Sequence, residues 1–415
     1  MQVFPPARET RWTRLIPVLV LIFTAPLTWT GARSTIRVDG AIRCLYLGDP
    51  WSFVENRLVL DWIRAEPRLG IVVVPCDLEV MMRRDAVRFT RLYLPRTFSD
   101  YNSSYDVLLP NNISPMVIED HILNFFPTGI EDEGMGCYLV GFDFWGGTND
   151  IGFWKGLTFY DLLPCDIDTD TYHYPEDGKI FYKILQIDPL FNLPGELNNI
   201  PMFDNRGGDI LPRQGSVVHA IWSGRKTPAV VTGSYGRGTT LQLDQAWNDF
   251  PIESMLEYRY FPDLIYNQLF FVVGVDPPLD VELAHRTREL FIDTRTRKKV
   301  TLSLIEFIDT FGAKTGEIED QVASLEDVVR EAERKYLRGE HAAASSLLNS
   351  VLERYEEMDS RITAVKERAL LWIYLTEWII VASTSMICGA MVWTLMVRRR
   401  LYHEAGTSRF FSDQE

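Results

Sequence analysis

Between residues 41 and 142, short, mainly apolar runs alternate with amphipathic stretches. Residues 41–48 (AIRCLYLG) are apolar and end in Gly48-Asp49-Pro50, which predicts a strand followed by a turn. Residues 54–65 place Leu58, Val59, Trp62 and Ile63 at helical spacing. Residues 70–75 (GIVVVP) and 105–110 (YDVLLP) predict two further strands, the second ended by Asn111-Asn112. Residues 116–126 predict a helix and residues 136–142 (GCYLVGF) a fourth strand. Continuous apolar strands alternating with helices predict a parallel sheet covered on both faces. From Val217 the pattern changes to closely spaced strands at 217–222, 229–233 and 239–243, with Gly236-Arg237-Gly238 as a hairpin turn. Residues 261–273 predict a helix that closes this α/β domain.

Two longer hydrophobic segments bracket the chain. Residues 15–29 follow Arg8, Arg11 and Arg14 and precede Gly31-Ala32. A basic start, a short apolar run and small residues behind it predict a secretory signal, with an uncleaved anchor as the alternative. Residues 378–397 carry no charge and are followed at once by Arg398-Arg399-Arg400. That is the length needed to cross roughly 30 Å of hydrocarbon, with the positive end inside. Both segments predict a single-pass protein of the cell membrane, its bulk extracytoplasmic and its C-terminus cytoplasmic. Between domain and membrane, residues 325–337 and 342–358 have helical periodicity and are separated by Gly339, which predicts a helical hairpin. The order Ala332, Tyr336, Gly339, Ala344, Leu348, Val351 resembles one tetratricopeptide repeat, and one repeat cannot form a solenoid. The expected divisions are therefore 1–32, 33–280, 281–370, 371–397 and 398–415.

Composition narrows the function classes. Lys and Arg number 42 against 57 Asp and Glu, a net charge of −15, which argues against a nucleic-acid partner. Five cysteines in 415 residues do not make a disulfide scaffold. Cys44, Cys76, Cys137 and Cys165 allow three pairings, and buried free thiols are the commoner state in strand-like runs.

The ordered segments SSYDVLLPNN, GCYLVGFDFWGG, LLPCDI and TPAVVTGSYGRGTTLQLDQAW resemble a membrane-associated family of glutamine amidotransferase-like proteins, over roughly residues 42–275. The resemblance implies a flavodoxin-like (class I glutamine amidotransferase-like) three-layer α/β domain. Class I amidotransferases present a nucleophilic cysteine on a tight turn after a strand. Here that turn reads Gly141-Phe142-Asp143-Phe144-Trp145 and holds no cysteine, while Cys137 lies inside the strand. The expectation is a non-catalytic binding or assembly protein. The alternatives are an amidotransferase or hydrolase with an unrecognised nucleophile, and an accessory subunit of a membrane transport complex.

No cofactor or metal is expected. The histidines lack ligand spacing, and Asp166-Ile167-Asp168-Thr169-Asp170 reads as a solvated acidic loop. His219 reads as a satisfied strand histidine. Ligands of parallel sheets bind beyond the carboxyl ends of the strands. The candidate ligand-binding residues are therefore Asp49, Trp51, Asn111, Asp143 and Trp145, with turn capping as the structural alternative for each aspartate.

Overall fold

Alternate residues of the first strand divide between two cores. Ile42, Cys44 and Tyr46 enter one hydrophobic cluster, and Leu45 and Leu47 enter the other. Side chains of period two must divide this way when both faces of a strand are buried. The structure, a computed structural model, describes residues 40–142, 151–173, 180–185, 189–195, 201–203, 207–223, 227–310 and 316–410.

In chain order the first elements are β1 (Ile42–Gly48), α1 (Val54–Ala65), β2 (Leu69–Pro75), α2 (Arg83–Tyr93), α3 (Phe98–Ser104), β3 (Val107–Pro110), α4 (Asp120–Leu123), α5 (Phe125–Glu131) and β4 (Gly136–Leu139). The strands β5 (Cys165–His173), β6 (Ile180–Ile184), β7 (Pro201–Phe203), β8 (Gly207–Pro212), β9 (Val217–Trp222), β10 (Pro228–Tyr235) and β11 (Gly238–Leu243) follow. The helices α6 (Ile252–Glu257), α7 (Phe261–Val272), α8 (Val281–Asp309), α9 (Gly316–Leu337) and α10 (His341–Phe410) complete the chain.

A nine-stranded sheet runs β2-β1-β3-β4-β11-β10-β9-β6-β7. The strands β1 to β4 and β11 are parallel, and the remaining pairings are antiparallel. The fold is thus a mixed α/β arrangement with a parallel-rich central sheet. Val59, Leu60 and Ile63 of α1 and the apolar side of α7 fill one cluster. Ala86 of α2, Tyr101 of α3 and Phe126 and Ile130 of α5 fill the other.

The hairpin expected at Gly236 is present: Tyr235 pairs with Gly238, and Gly236 turns with φ +56°. A Cβ at Gly236 would lie 2.5 Å from the Glu131 carbonyl oxygen, so only glycine fits this turn. The run Asp166–Asp170 is not a loop but part of β5, paired antiparallel with β8. Cys165 and Ile167 are buried while Asp166 between them is exposed and bonded to Arg213. The alternation of acidic and apolar letters is the period of a half-buried strand.

The expected hairpin is present as α9 and α10, turning at Gly339, and among the described residues a further helix packs beside it. The additional one, α8, runs alongside α10: Thr287 Oγ1 lies 2.7 Å from Ser345 Oγ, and Arg297 pairs with Asp359. Apolar residues of α8, α9 and α10 form two small cores along the bundle. Binary pattern hides α8 because Thr287, Arg288, Thr294 and Thr301 are among its buried positions.

The direction of the bundle follows from its contacts. The helix α1 begins just after β1 ends and returns to the start of β2, so Ala65 and Glu66 lie at the amino-terminal edge of the parallel strands. Along α8, His285 faces Asp263, and Arg295 reaches the carbonyls of Arg64 and Ala65. Beyond Arg295 its salt bridges go to α9 and α10. The bundle therefore leaves the domain at the amino-terminal edge, and the carboxyl-terminal edge points away from it. The helix α10 is 70 residues long, about 105 Å at 1.5 Å per residue. It contains a span long and apolar enough to cross a membrane.

Candidate functional site

At the carboxyl-terminal edge, the structure brings Asp49 and Asn111 into one network. Asp49 is 1% exposed. Its Oδ1 accepts from the backbone N–H groups of Trp51 and Ser52, both at 3.1 Å, and its Oδ2 from those of Ser52 at 2.9 Å and Phe53 at 3.1 Å. The carboxylate thus holds the turn that leads into α1, where the first N–H groups of a helix need acceptors. Tyr46 Oη donates to the Asp49 carbonyl at 3.0 Å. Asn111 Nδ2 donates to Tyr46 Oη and to Asn56 Oδ1, both at 3.1 Å. Next to it, Asn112 has φ +49°, a conformation that asparagine tolerates better than most residues.

Two acceptors at this edge stay open. Among the described residues, no donor reaches the buried Oδ1 atoms of Asn111 and Asn112. Such oxygens suit a ligand that offers N–H or O–H groups. Trp51 is 60% exposed and meets Phe89 edge-on, with ring centroids 6.5 Å apart. Asp143 and Trp145 lie outside the described residues. The turn before them starts at Gly141, whose φ is +70° and where a Cβ would stand 2.8 Å from Ala246 Cβ.

Cys137 is fully buried inside β4, and burial pushes its thiol well above the usual range. A thiol kept protonated and out of solvent is not a nucleophile. All five cysteines are free, with Cys44, Cys76, Cys137 and Cys165 buried. His219 shares a hydrogen bond with Thr232 Oγ1 at 2.6 Å, as a satisfied strand histidine should. Among the described residues, no cluster of three His, Cys, Asp or Glu is placed to hold a metal.

Sequence reasoning missed a second cluster, at the junction of domain and bundle. Arg288 of α8 is bonded to the carboxylates of both Glu66 and Asp263, and all three are buried. Tyr336 Oη donates to Glu66 Oε2 at 2.8 Å. His285 Nδ1 lies 2.6 Å from Asp263 Oδ2, and the Arg288 guanidinium sits 4.7 Å from the centroid of the Tyr266 ring. Burial works against the charge of Arg288, but Glu66, Tyr336 and Asp263 together hold its pKa above the usual arginine value. A depression of about 220 Å³ beside this cluster is lined by Trp62, Tyr266, Arg259, His285, Arg288 and Glu289, among others. No local motif announces the cluster, because Glu66 and Arg288 stand 222 positions apart.

No family model matches this chain, and no curated protein does. Solved structures do match part of it. A cytoplasmic protein of Salmonella typhimurium is similar over 56% of this chain and 99% of its own, with 15% identity and a TM-score of 0.44. A second cytoplasmic protein, from strain LT2, covers the same shares at 14% identity and a TM-score of 0.42. A GMP synthase-like protein from Thermoplasma acidophilum covers 56% of this chain and 94% of its own, at 13% identity and a TM-score of 0.34. Likenesses at this level carry no family with them.

Proposed function

We propose that this chain is a non-catalytic binding or assembly protein, in which an amidotransferase-like, flavodoxin-like three-layer domain is carried outside the cytoplasm on a helical stalk. In this reading residues 1–32 are a signal or N-terminal anchor, and the tail after Val397 is cytoplasmic. The observation that carries the reading is the buried Glu66–Arg288–Asp263 junction, which joins the domain to a bundle whose last helix continues into the apolar span. A joint of this kind suits a protein that holds a domain at a set distance from a membrane. From Ser345, level with the domain, to exposed Trp372 is roughly 40 Å of helix.

The absence of a cysteine from the turn after β4, and the burial of Cys137, support catalytic silence. The ligand edge of Asp49, Trp51, Asn111, Asp143 and Trp145 remains part of the proposal, now with Asn111 and Asn112 supplying the open acceptors. Asp49 serves there as the brace of the turn rather than as a contact. A polar small molecule or a peptide group fits that chemistry. The test is a glutaminase assay on the full chain in detergent. No turnover is expected. Glutamine hydrolysis abolished by Cys137→Ala would overturn the binding reading in favour of an amidotransferase.

A further inference from the structure

The sheet ends at β2, and among the described residues this strand pairs only with β1. An open edge presents unpaired N–H and C=O groups, and proteins usually blunt such edges with charges, proline or bulges. The run LGIVVVP has none of these within it, and its only proline is the last residue. Val72 is 41% exposed. It shares a face with Val74, which packs into the α2 cluster.

The flank of α2 is unusually apolar as well. Phe89 stacks on Tyr93 at 6.2 Å between centroids and meets Trp51 edge-on, and both Tyr93 and Trp51 are exposed. On the solvent side of the same helix stand Arg84, with its side chain 89% exposed and 3.7 Å from the half-exposed Asp85 carboxylate, and Arg88, which makes no ion pair among the described residues. In a chain of net charge −15 this is a local positive strip.

We propose that the open β2 edge is a strand-addition site for an extended segment of another protein, apolar at alternate positions and acidic at its ends. The added strand would take backbone hydrogen bonds from β2, pack side chains on Val72, Phe89 and Tyr93, and place carboxylates near Arg84 and Arg88. A second copy of this chain fits less well. A two-fold that joins two β2 edges in one sheet runs them antiparallel. The two bundles, each leaving at the amino-terminal edge, would then exit in opposite directions, which two chains in one membrane cannot do. The Arg-bearing helices would also be brought together on one face of the joined sheet.

The proposal rests on the reading of the chain as a binding protein and deepens it by naming a partner class. The test uses the full chain in lipid nanodiscs and a fluorescein-labelled peptide of alternating valine and threonine with aspartates at both ends, followed by anisotropy. Saturable binding is expected, with Leu69–Pro75 amides slowed in hydrogen exchange. Val72→Lys, a central proline in the peptide, or lysines in place of the aspartates should each weaken binding at least about ten-fold. Tyr93→Ser, on the exposed helix flank, serves where Val72→Lys fails to fold. Equal binding of the proline peptide, unchanged affinity in both variants, or no binding by the wild-type chain would overturn the proposal. So would a wild-type dimer that Val72→Lys abolishes, which would assign the edge to self-pairing. Cys137-dependent glutamine turnover removes the broader reading; failed peptide binding without turnover removes the edge assignment alone.

Discussion

Asp49 and the buried cysteines show how much single side chains are given to structure here. Asp49 spends both carboxylate oxygens on three backbone N–H groups. Asp49→Ala is expected to cost about 2 kcal/mol, measured by denaturant unfolding of the full chain in detergent. An unchanged midpoint would free Asp49 for ligand contact. Cys44, Cys76 and Cys137 are held protonated by burial, each far above its ordinary value of 9.0. The unfolded chain releases these protons as pH rises past that value, while the folded chain keeps them. The contribution of these thiols to stability is therefore fully present below pH 9.0 and falls above it, by up to about 1.4 kcal/mol per pH unit for each thiol. Iodoacetamide should leave these three thiols untouched at pH 8.5 until denaturant is added; native alkylation of Cys137 would contradict its burial.

Elements were legible where one period dominates. The strands β1, β2, β9 and β11 and the helices α1 and α7 stand where continuous apolar runs or helical spacing place them. The strand β5 was misread because its acidic letters resemble loop chemistry, although their alternation with Cys165 and Ile167 carries the strand period. The helix α8 lay hidden because much of its buried face is polar and finds its partners on remote elements. Its key contact gives a prediction at this scale. Arg288→Ala leaves Glu66 and Asp263 buried without their cation, and should destabilise the chain by about 3–5 kcal/mol. It should also expose the segment between α7 and α8 to limited proteolysis. Replacing all three charges together, as Glu66→Leu, Arg288→Met and Asp263→Leu, should recover most of the loss; equal damage in the triple variant would mean that the charges stabilise the junction beyond their mutual compensation.

For the whole molecule, the orientation of the span decides what the domain meets. A reporter fused after Glu415 is expected to be active only in the cytoplasm, and one inserted at Gly339 only outside. The reverse pattern would overturn the reading of both hydrophobic segments. With the bundle leaving at the amino-terminal edge, the Asn111 and Asn112 acceptors that meet no donor among the described residues lie at the opposite edge from the apolar stretch of α10.

The long apolar stretch of α10, the alternation of strands and helices and the Gly236 turn could be read from letters alone, because each depends on local composition or on a short period. The order of the strands, the pairing of β6, β7 and β9 into the sheet and the docking of α8 against the domain could not. They depend on contacts between segments far apart in the chain, which no local pattern encodes. The candidate edge was half legible: Asp49 and Asn111 converge because both follow strands of one parallel sheet. Only the folded chain decided that the Asp49 carboxylate is consumed by its own turn while two asparagine oxygens meet no donor among the described residues. The same reason governs the junction, since Glu66, Asp263 and Arg288 are ordinary surface letters until tertiary packing removes water from all three.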